Sequence, residues 1–323
     1  MMAKPKKESW NKKYQDEESC REFLVQQRWN GIPKCPYCSC EKSYKIEGGK
    51  RFKCANPECW KKYSVTVGTI FEASKIPLTT WFEAVYVITA HKKGISSCQL
   101  ARNLRVTQKT GWFMLHRIRE ALKENAPLLL QKEVQADEVY LGGEEKNKHK
   151  DKRTPNSQGK SQIKIPVVGL IETGGRVVTQ VMSTVTKKDI TEMVETHLDK
   201  NAILVSDSNP VYYRVGRKFD HVIVNHSKGQ FKVGVFHTNS IENYWSILTR
   251  TITGTYHQLS TKHLQRYCEE SAFRFNSRKL PDGFRWQITF QQIEGRLTYK
   301  QLIHGKGEEN NPGKEVQTIE TGE

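Results

Sequence analysis

Three acids stand where carboxylates could hold a divalent metal. Asp137 interrupts the run Val134-Gln135-Ala136-Asp137-Glu138-Val139-Tyr140-Leu141, and Asp207 ends Ala202-Ile203-Leu204-Val205-Ser206-Asp207. A carboxylate in or just after an apolar strand is costly to bury unless a cation compensates it. Glu242 follows 35 residues after Asp207, in His237-Thr238-Asn239-Ser240-Ile241-Glu242-Asn243-Tyr244-Trp245. Thr238 or Ser240 can cap a helix there, whose apolar stripe Ile241, Tyr244, Trp245, Leu248 and Ile252 packs on a sheet and carries Glu242 beside it. Hard oxygen ligands suit Mg²⁺ or Mn²⁺. Two such ions about 4 Å apart can activate an attacking hydroxyl and stabilise the leaving oxygen in phosphoryl transfer. Taken singly, each acid has a plainer reading: Asp207 as the cap of the turn before Asn209-Pro210, and Glu242 as a solvated helix residue.

The second chemical signal is a pair of cysteine pairs. Cys35-Pro36-Tyr37-Cys38 is a CxxC, and Cys54 and Cys59 form a second pair 15 residues on. Each pair suits a tight turn that points two thiolates at one tetrahedral ion, with Tyr44–Ile46 and Arg51–Lys53 as the connecting hairpin. Four cysteines leave no open position for water, so the expected zinc ion is structural. Cys40 is a possible competitor of Cys38, and packed free thiols are the plainer alternative.

A third segment bears on recognition. Ser96 or Ser97 can cap a short helix ending near Asn103, and Thr107 can cap a second helix through Arg119. The second helix is expected to present Gln108, Lys109, Arg117 and Arg119 and to bury Trp112, Phe113 and Leu115, as a recognition helix in a DNA groove would. An ordinary helical hairpin with a charged solvent face is the alternative.

These groups need a frame, and the pattern of the chain supplies one. Residues 1–34 read as a helical lead-in anchored by Phe23, Leu24 and Trp29, ending at Asn30-Gly31-Ile32-Pro33. Residues 35–75 form the cysteine unit, and residues 76–132 show helical spacing of apolar positions. From 133 to 304, short apolar runs (Val134–Leu141, Ile163–Ile171, Val177–Met182, Ala202–Val205, His221–Val224) surround a polar helix over Lys187–Lys200, and helices follow at Thr238–Ile252 and Thr261–Phe275. That order predicts a mixed α/β domain. A basic loop is expected over 144–164, and a disordered tail over 305–323.

The net charge of +17 and pI near 9.4 favour a polyanionic partner, and DNA leads. Residues 1–133 carry 25 Lys and Arg against 13 Asp and Glu, so the front of the chain is expected to grip it. No apolar run is long enough to span a bilayer and none follows the Lys-rich start as a signal core, so the expected location is the cytoplasm, with no membrane partner.

Taken together, these motifs resemble the zinc-ribbon, DDE-type transposases of bacterial insertion sequences, the ISXO-like group. The resemblance runs from about Arg28 to Lys279. It is carried by Arg28-Trp29-Asn30-Gly31 before Cys35-Pro36-Tyr37-Cys38, and by Asp137-Glu138-Val139-Tyr140-Leu141-Gly142-Gly143 with Lys146-Asn147-Lys148-His149 after it. Further along it is carried by His237-Thr238-Asn239-Ser240-Ile241-Glu242, Gly254-Thr255-Tyr256-His257, His263-Leu264-Gln265-Arg266-Tyr267 and Arg274-Phe275-Asn276-Ser277-Arg278.

It implies a multidomain chain: zinc ribbon, helix-turn-helix-like unit, and a ribonuclease H-like, retroviral-integrase-like catalytic domain. It implies DNA cleavage and strand transfer at terminal inverted repeats, by a homo-oligomer in the synaptic complex. Asp137, Asp207 and Glu242 are the implied magnesium ligands, with Asn239 the alternative third ligand. Gln108, Lys109, Arg117, Arg119, Lys146 and Lys148 are the expected DNA contacts. The rival readings are a zinc-ribbon DNA-binding regulator without catalysis and a ribonuclease H-like nuclease that does not join strands.

Overall fold

The computed structural model describes residues 13–124, 129–142, 164–213, 215, 218–257 and 259–304. The basic loop expected over 144–164, with Lys146 and Lys148, and the tail expected over 305–323 lie outside them, Lys164 apart.

Helix α1 (Glu17–Trp29) starts where the Asp16 carboxylate accepts the Ser19 N–H at 2.8 Å, and stops at Asn30 in the left-handed conformation, φ 49. The chain then enters a three-stranded antiparallel sheet of β1 (Ser43–Ile46), β2 (Arg51–Cys54) and β3 (Lys62–Tyr63). Its inner side, Phe52 and Tyr63, meets Trp29 edge-on.

Three helices follow: α2 (Leu78–Ala90), α3 (Ser97–Leu104) and α4 (Gln108–Ala121). The Ser96 hydroxyl caps α3 and the Thr107 hydroxyl caps α4, with Arg105 left-handed between them, φ 54. This is the expected helix, tight turn and helix. The surfaces differ from expectation, however. Gln108 and Lys109 are exposed in the first turn of α4, whereas Arg117 and Arg119 are buried, at 3% and 1% exposure. Arg117 donates to the Glu72 carbonyl at 2.6 Å and stacks on Trp81 and Phe113, so it is no groove-facing residue. Trp112 and Phe113 are only half-buried, while Leu115 is buried as expected.

The second sheet runs β4 (Glu133–Leu141), β5 (Ile165–Glu172), β6 (Val177–Val181), β7 (Ile203–Asp207) and β8 (Asp220–Val224), in the spatial order β6-β5-β4-β7-β8. The first three strands pair antiparallel, and β4–β7 and β7–β8 pair parallel. Alternation decides which helices cover which face. Val134, Ala136, Val168 and Leu170 pack on α5 (Lys187–His197), while Val167, Ile171 and Val177 pack on α6 (Asn239–Thr251) and α7 (Leu264–Asn276). A five-stranded sheet of this order and polarity, helices on both faces, is the ribonuclease H-like arrangement.

Two features tie the units together. Helix α8 (Asp282–Gln291), which chain order places with the second sheet, joins the front core instead: Trp286, Phe290 and Ile293 pack with Tyr14, Phe23, Phe71 and Phe82. The short helix α9 (Tyr299–His304) continues from there, its Tyr299 ring 5.6 Å from Phe113. The second tie is ionic. Arg119 Nε donates to Glu270 of α7 at 2.6 Å, Arg274 donates to the same carboxylate, and the Tyr256 hydroxyl adds a bond at 2.8 Å. Burial would raise the Glu270 pKa, but the Arg119 and Arg274 charges outweigh it and hold it at about 2, below its ordinary 4.5.

A carboxylate flanked by two buried guanidiniums is expensive to lose, because two unbalanced cations remain. Glu270→Gln is expected to lower the unfolding free energy by about 3–5 kcal/mol in urea titrations at neutral pH. Because the folded pKa is depressed, the stabilisation is present above about pH 4.5 and fades as pH falls towards 2. A loss below about 1 kcal/mol, the range of an exposed pair, would contradict this role.

Candidate active site and zinc centre

The register Ala136↔Ser206 between parallel strands β4 and β7 brings the next residues along, Asp137 and Asp207, side by side. Both are half-buried. Burial pushes the Asp137 carboxyl up to about 7, and the charges of Glu138 and Asp207 push the same way, against a bond from the Glu138 N–H and one from the Trp245 indole. The indole Nε1 lies 3.1 Å from Asp137 Oδ2. Asp207 Oδ1 accepts the Asn209 N–H at 2.9 Å, so the turn-capping role does occur. A carboxylate has several acceptor positions, and one such bond leaves others for an ion.

Glu242 sits in the first turn of α6 with its side chain 52% exposed, where the helix dipole favours negative charge. Its Oε1 accepts the Thr238 hydroxyl at 2.7 Å and lies 3.6 Å from His226 Nε2. Asn239 is exposed one turn earlier. Among the described residues, only the cysteines bring three or more ligand atoms of His, Cys, Asp or Glu within 4.8 Å of one another; the three acids form no cluster that tight.

What seats α6 over the acids is a residue that the sequence reading passed over. Gln135 is fully buried, and its Oε1 accepts the Ser240 N–H at 2.9 Å and the Ile241 N–H at 3.1 Å. It fills the N-cap role that Thr238 and Ser240 were expected to play; neither side chain caps the helix. Its Nε2 donates to Thr173 Oγ1 at 3.0 Å and lies 3.3 Å from His237 Nδ1. An amide in a run of apolar residues was the available signal, since a buried amide requires partners. Gly169, paired with Asp137 across β4–β5, makes room for the indole: a Cβ there would lie 2.7 Å from Trp245 ring carbons. On the other face of β4, Glu138 accepts Asn209 Nδ2 at 2.6 Å and the Tyr212 hydroxyl at 2.8 Å, bracing the turn after Asp207.

In the ribbon, the Sγ atoms of Cys35, Cys38, Cys54 and Cys59 all lie within 4.8 Å of one another, with Cys35–Cys59 at 3.8 Å and Cys38–Cys54 at 3.5 Å. A tetrahedral zinc with bonds of about 2.3 Å needs sulfurs about 3.8 Å apart, so these residues fit the ion. Cys40 stands outside the set, its thiol directed to the Lys42 carbonyl at 3.5 Å. No helix among the described residues is long and apolar enough to cross a membrane.

Comparison with known proteins yields matches at the places where these features lie. Residues 15–62 match the family model described as a transposase zinc-ribbon domain, and residues 129–276 match that of the ISXO2-like transposase domain. The second match ends with α7, leaving α8 outside it. An uncharacterized protein in transposable element ISH50 of Halobacterium salinarum is 27% identical over 258 residues, 75% of this chain and 85% of that protein. Among solved structures, a simian T-cell lymphotropic virus intasome in complex with PP2A regulatory subunit B56 gamma is 11% identical, over 72% of this chain and 79% of that chain, with a TM-score of 0.28. The Mos1 strand transfer complex is 11% identical, over 66% and 74%, also at 0.28. Likenesses so slight carry no weight beside the two domain matches. One family accounts for a cysteine ribbon and an acid-bearing sheet in this order, and the chain belongs to it: the zinc-ribbon, DDE-type transposases of insertion sequences.

Proposed function

We propose that this transposase binds the terminal inverted repeats of its element and cuts and rejoins DNA strands with Mg²⁺ or Mn²⁺ held by Asp137, Asp207 and Glu242. The observation that carries this reading is the seating of Asp137 beside Asp207 on adjacent parallel strands. Two half-buried carboxylates side by side on neighbouring strands are costly as anions, and a shared divalent ion would remove that cost. Bound there, two ions supply Lewis-acid activation of the attacking hydroxyl and charge stabilisation at the leaving oxygen. The protein's share is positional. The Trp245 indole orients Asp137, Gln135 seats the helix that bears Glu242, and the Thr238 hydroxyl holds the Glu242 carboxylate. Glu242 is preferred to Asn239 as third ligand because a carboxylate binds Mg²⁺ better than an amide. Of the DNA contacts expected on α4, Gln108 and Lys109 remain available at its exposed first turn. The homo-oligomer expected in the synaptic complex belongs to the same reading.

Replacing Asp137, Asp207 or Glu242 by Ala is expected to abolish Mg²⁺-dependent cleavage and joining of terminal DNA while binding survives. The lost charge stabilisation matters chiefly in the transition state, and the phosphate contacts remain. Asn239→Ala is expected to stay active. Strand-cleavage assays and binding isotherms on the same preparations check both halves. If Asp137→Ala and Asp207→Ala both cleaved normally, the catalytic reading would be wrong; an active Glu242→Ala beside a dead Asn239→Ala would move the third ligand.

Gly169→Ala probes the positioning of Asp137 without touching an acid. The added Cβ must displace the Trp245 ring, and misplacing a catalytic group by about 1 Å costs on the order of 10²-fold in rate. Cleavage rates within twofold of the unaltered chain would show that the indole contact is dispensable.

Metal analysis of the purified chain is expected to find about one zinc per chain, lost in a Cys35→Ser/Cys54→Ser double variant together with the ribbon's fold, since so small a core depends on its ion. A ribbon indifferent to chelator would contradict the assignment.

A further inference from the structure

The zinc ribbon has an outer face that takes no part in holding metal. Register across the sheet sets Tyr44 opposite Lys53 and Lys53 opposite Lys62, in a row on the side away from Phe52, Tyr63 and Trp29. The turn around Cys59 extends this face. Lys53 Nζ lies 4.3 Å from the Trp60 ring centre, and Lys61 Nζ lies 4.8 Å from that of Tyr37. Tyr37, Tyr44 and Trp60 are 50%, 52% and 46% exposed. Rings this open contribute little burial to the ribbon's own stability.

Trp60 supplies a second, independent observation. The residue after the second cysteine of each pair is left-handed, Ser39 at φ 59 and Trp60 at φ 47. Glycine adopts that conformation freely, whereas a bulky side chain is strained in it. A tryptophan kept there at a cost, with nearly half of its surface open to solvent, points to a use outside the fold.

Charge selects the partner. Between Lys34 and Tyr63 stand eight Lys and Arg against three Glu, and the excess stays positive even with four thiolates around one zinc. Flat exposed rings interleaved with lysines suit a strand of nucleic acid whose bases are unpaired, because rings stack on base faces while ammonium groups meet phosphates. We propose that this face binds the opened end of the DNA on which the catalytic domain acts, with Tyr37, Tyr44 and Trp60 stacking on unpaired bases and Lys53, Lys61 and Lys62 contacting phosphates. The proposal rests on the transposase reading and adds a second grip, on the opened strand.

The test uses the full-length zinc-loaded chain and two probes: a blunt duplex of the element's end, and the same duplex with a few unpaired nucleotides at its tip. Trp60→Gly removes the ring and relieves the backbone, so zinc content and melting temperature should hold or rise, whereas binding to the opened probe should weaken about tenfold. Binding to the blunt probe should change much less. Lys53→Ala/Lys62→Ala should flatten the logarithmic salt dependence by about one to two units, which Trp60→Gly should not do. Trp60→Gly binding the opened probe within twofold of the unaltered chain, or equal losses on both probes, would overturn the stacking role. Should an unaltered chain bind neither probe, the transposase reading itself would fall, an outcome distinct from normal binding that the variants leave untouched.

Discussion

The register of one parallel strand pair governs the catalytic half of this molecule. With Ala136 opposite Ser206, Asp137 and Asp207 share one edge and one face. A slip of a single residue would turn either side chain to the opposite face of the sheet. The register is held by apolar neighbours on both sides, Val134 and Ala136 against α5, Val139 and Leu141 against α6 and α7. It brings two like charges together, which adds to the burial that raises the Asp137 pKa; a divalent ion held there would offset both costs. Gln135 transmits the same register to the third acid, because its buried amide fixes where α6 begins on β4. Breaking that bond would leave two helix N–H groups and a buried amide unsatisfied, each costing about 1–3 kcal/mol.

The second constraint is that the helical front and the helices covering the acid-bearing sheet are tied together by packing and a buried ion pair. Trp286 and Phe290, near the end of the described chain, complete an aromatic core with Tyr14 and Phe23, near its beginning. Arg119 reaches from α4 to Glu270 on α7 and is sealed from water on both sides. Helix α4, whose first turn presents Gln108 and Lys109, is thus joined by this buried pair to α7, which packs on the catalytic sheet. Cutting the chain before β4 would strand Trp286 and Phe290 without their partners, so the front and the sheet are not separable by simple truncation.

Much of this was legible in the sequence because it is local. Paired cysteines at metal spacing, Ser96 and Thr107 as caps, and apolar runs of strand length around two aspartates all act through near neighbours, and the structure places them within a residue or two of expectation. What was not legible depends on distant partners. Arg117 and Arg119 read as solvated groove contacts until Glu72 and Glu270, 45 and 151 residues away, turn them inward. Helix α8 follows the sheet in sequence and packs elsewhere, which periodicity cannot foresee. Gln135 was visible as an amide among apolar residues, yet its role required knowing that α6 would begin above it. Trp60 gave no signal by type; its strained backbone and open ring appear only in three dimensions.

The central claim is that Asp137 and Asp207 jointly hold a divalent ion. Crystals of the full chain equilibrated with Mn²⁺ and measured at wavelengths on either side of the manganese edge test it directly. An anomalous peak within coordination distance of both carboxylates, absent when either aspartate is replaced by asparagine, is the predicted result. Ordered carboxylates with no peak between them at saturating Mn²⁺, or a peak bound elsewhere while the DNA-cleaving activity of the same preparation persists, would contradict it.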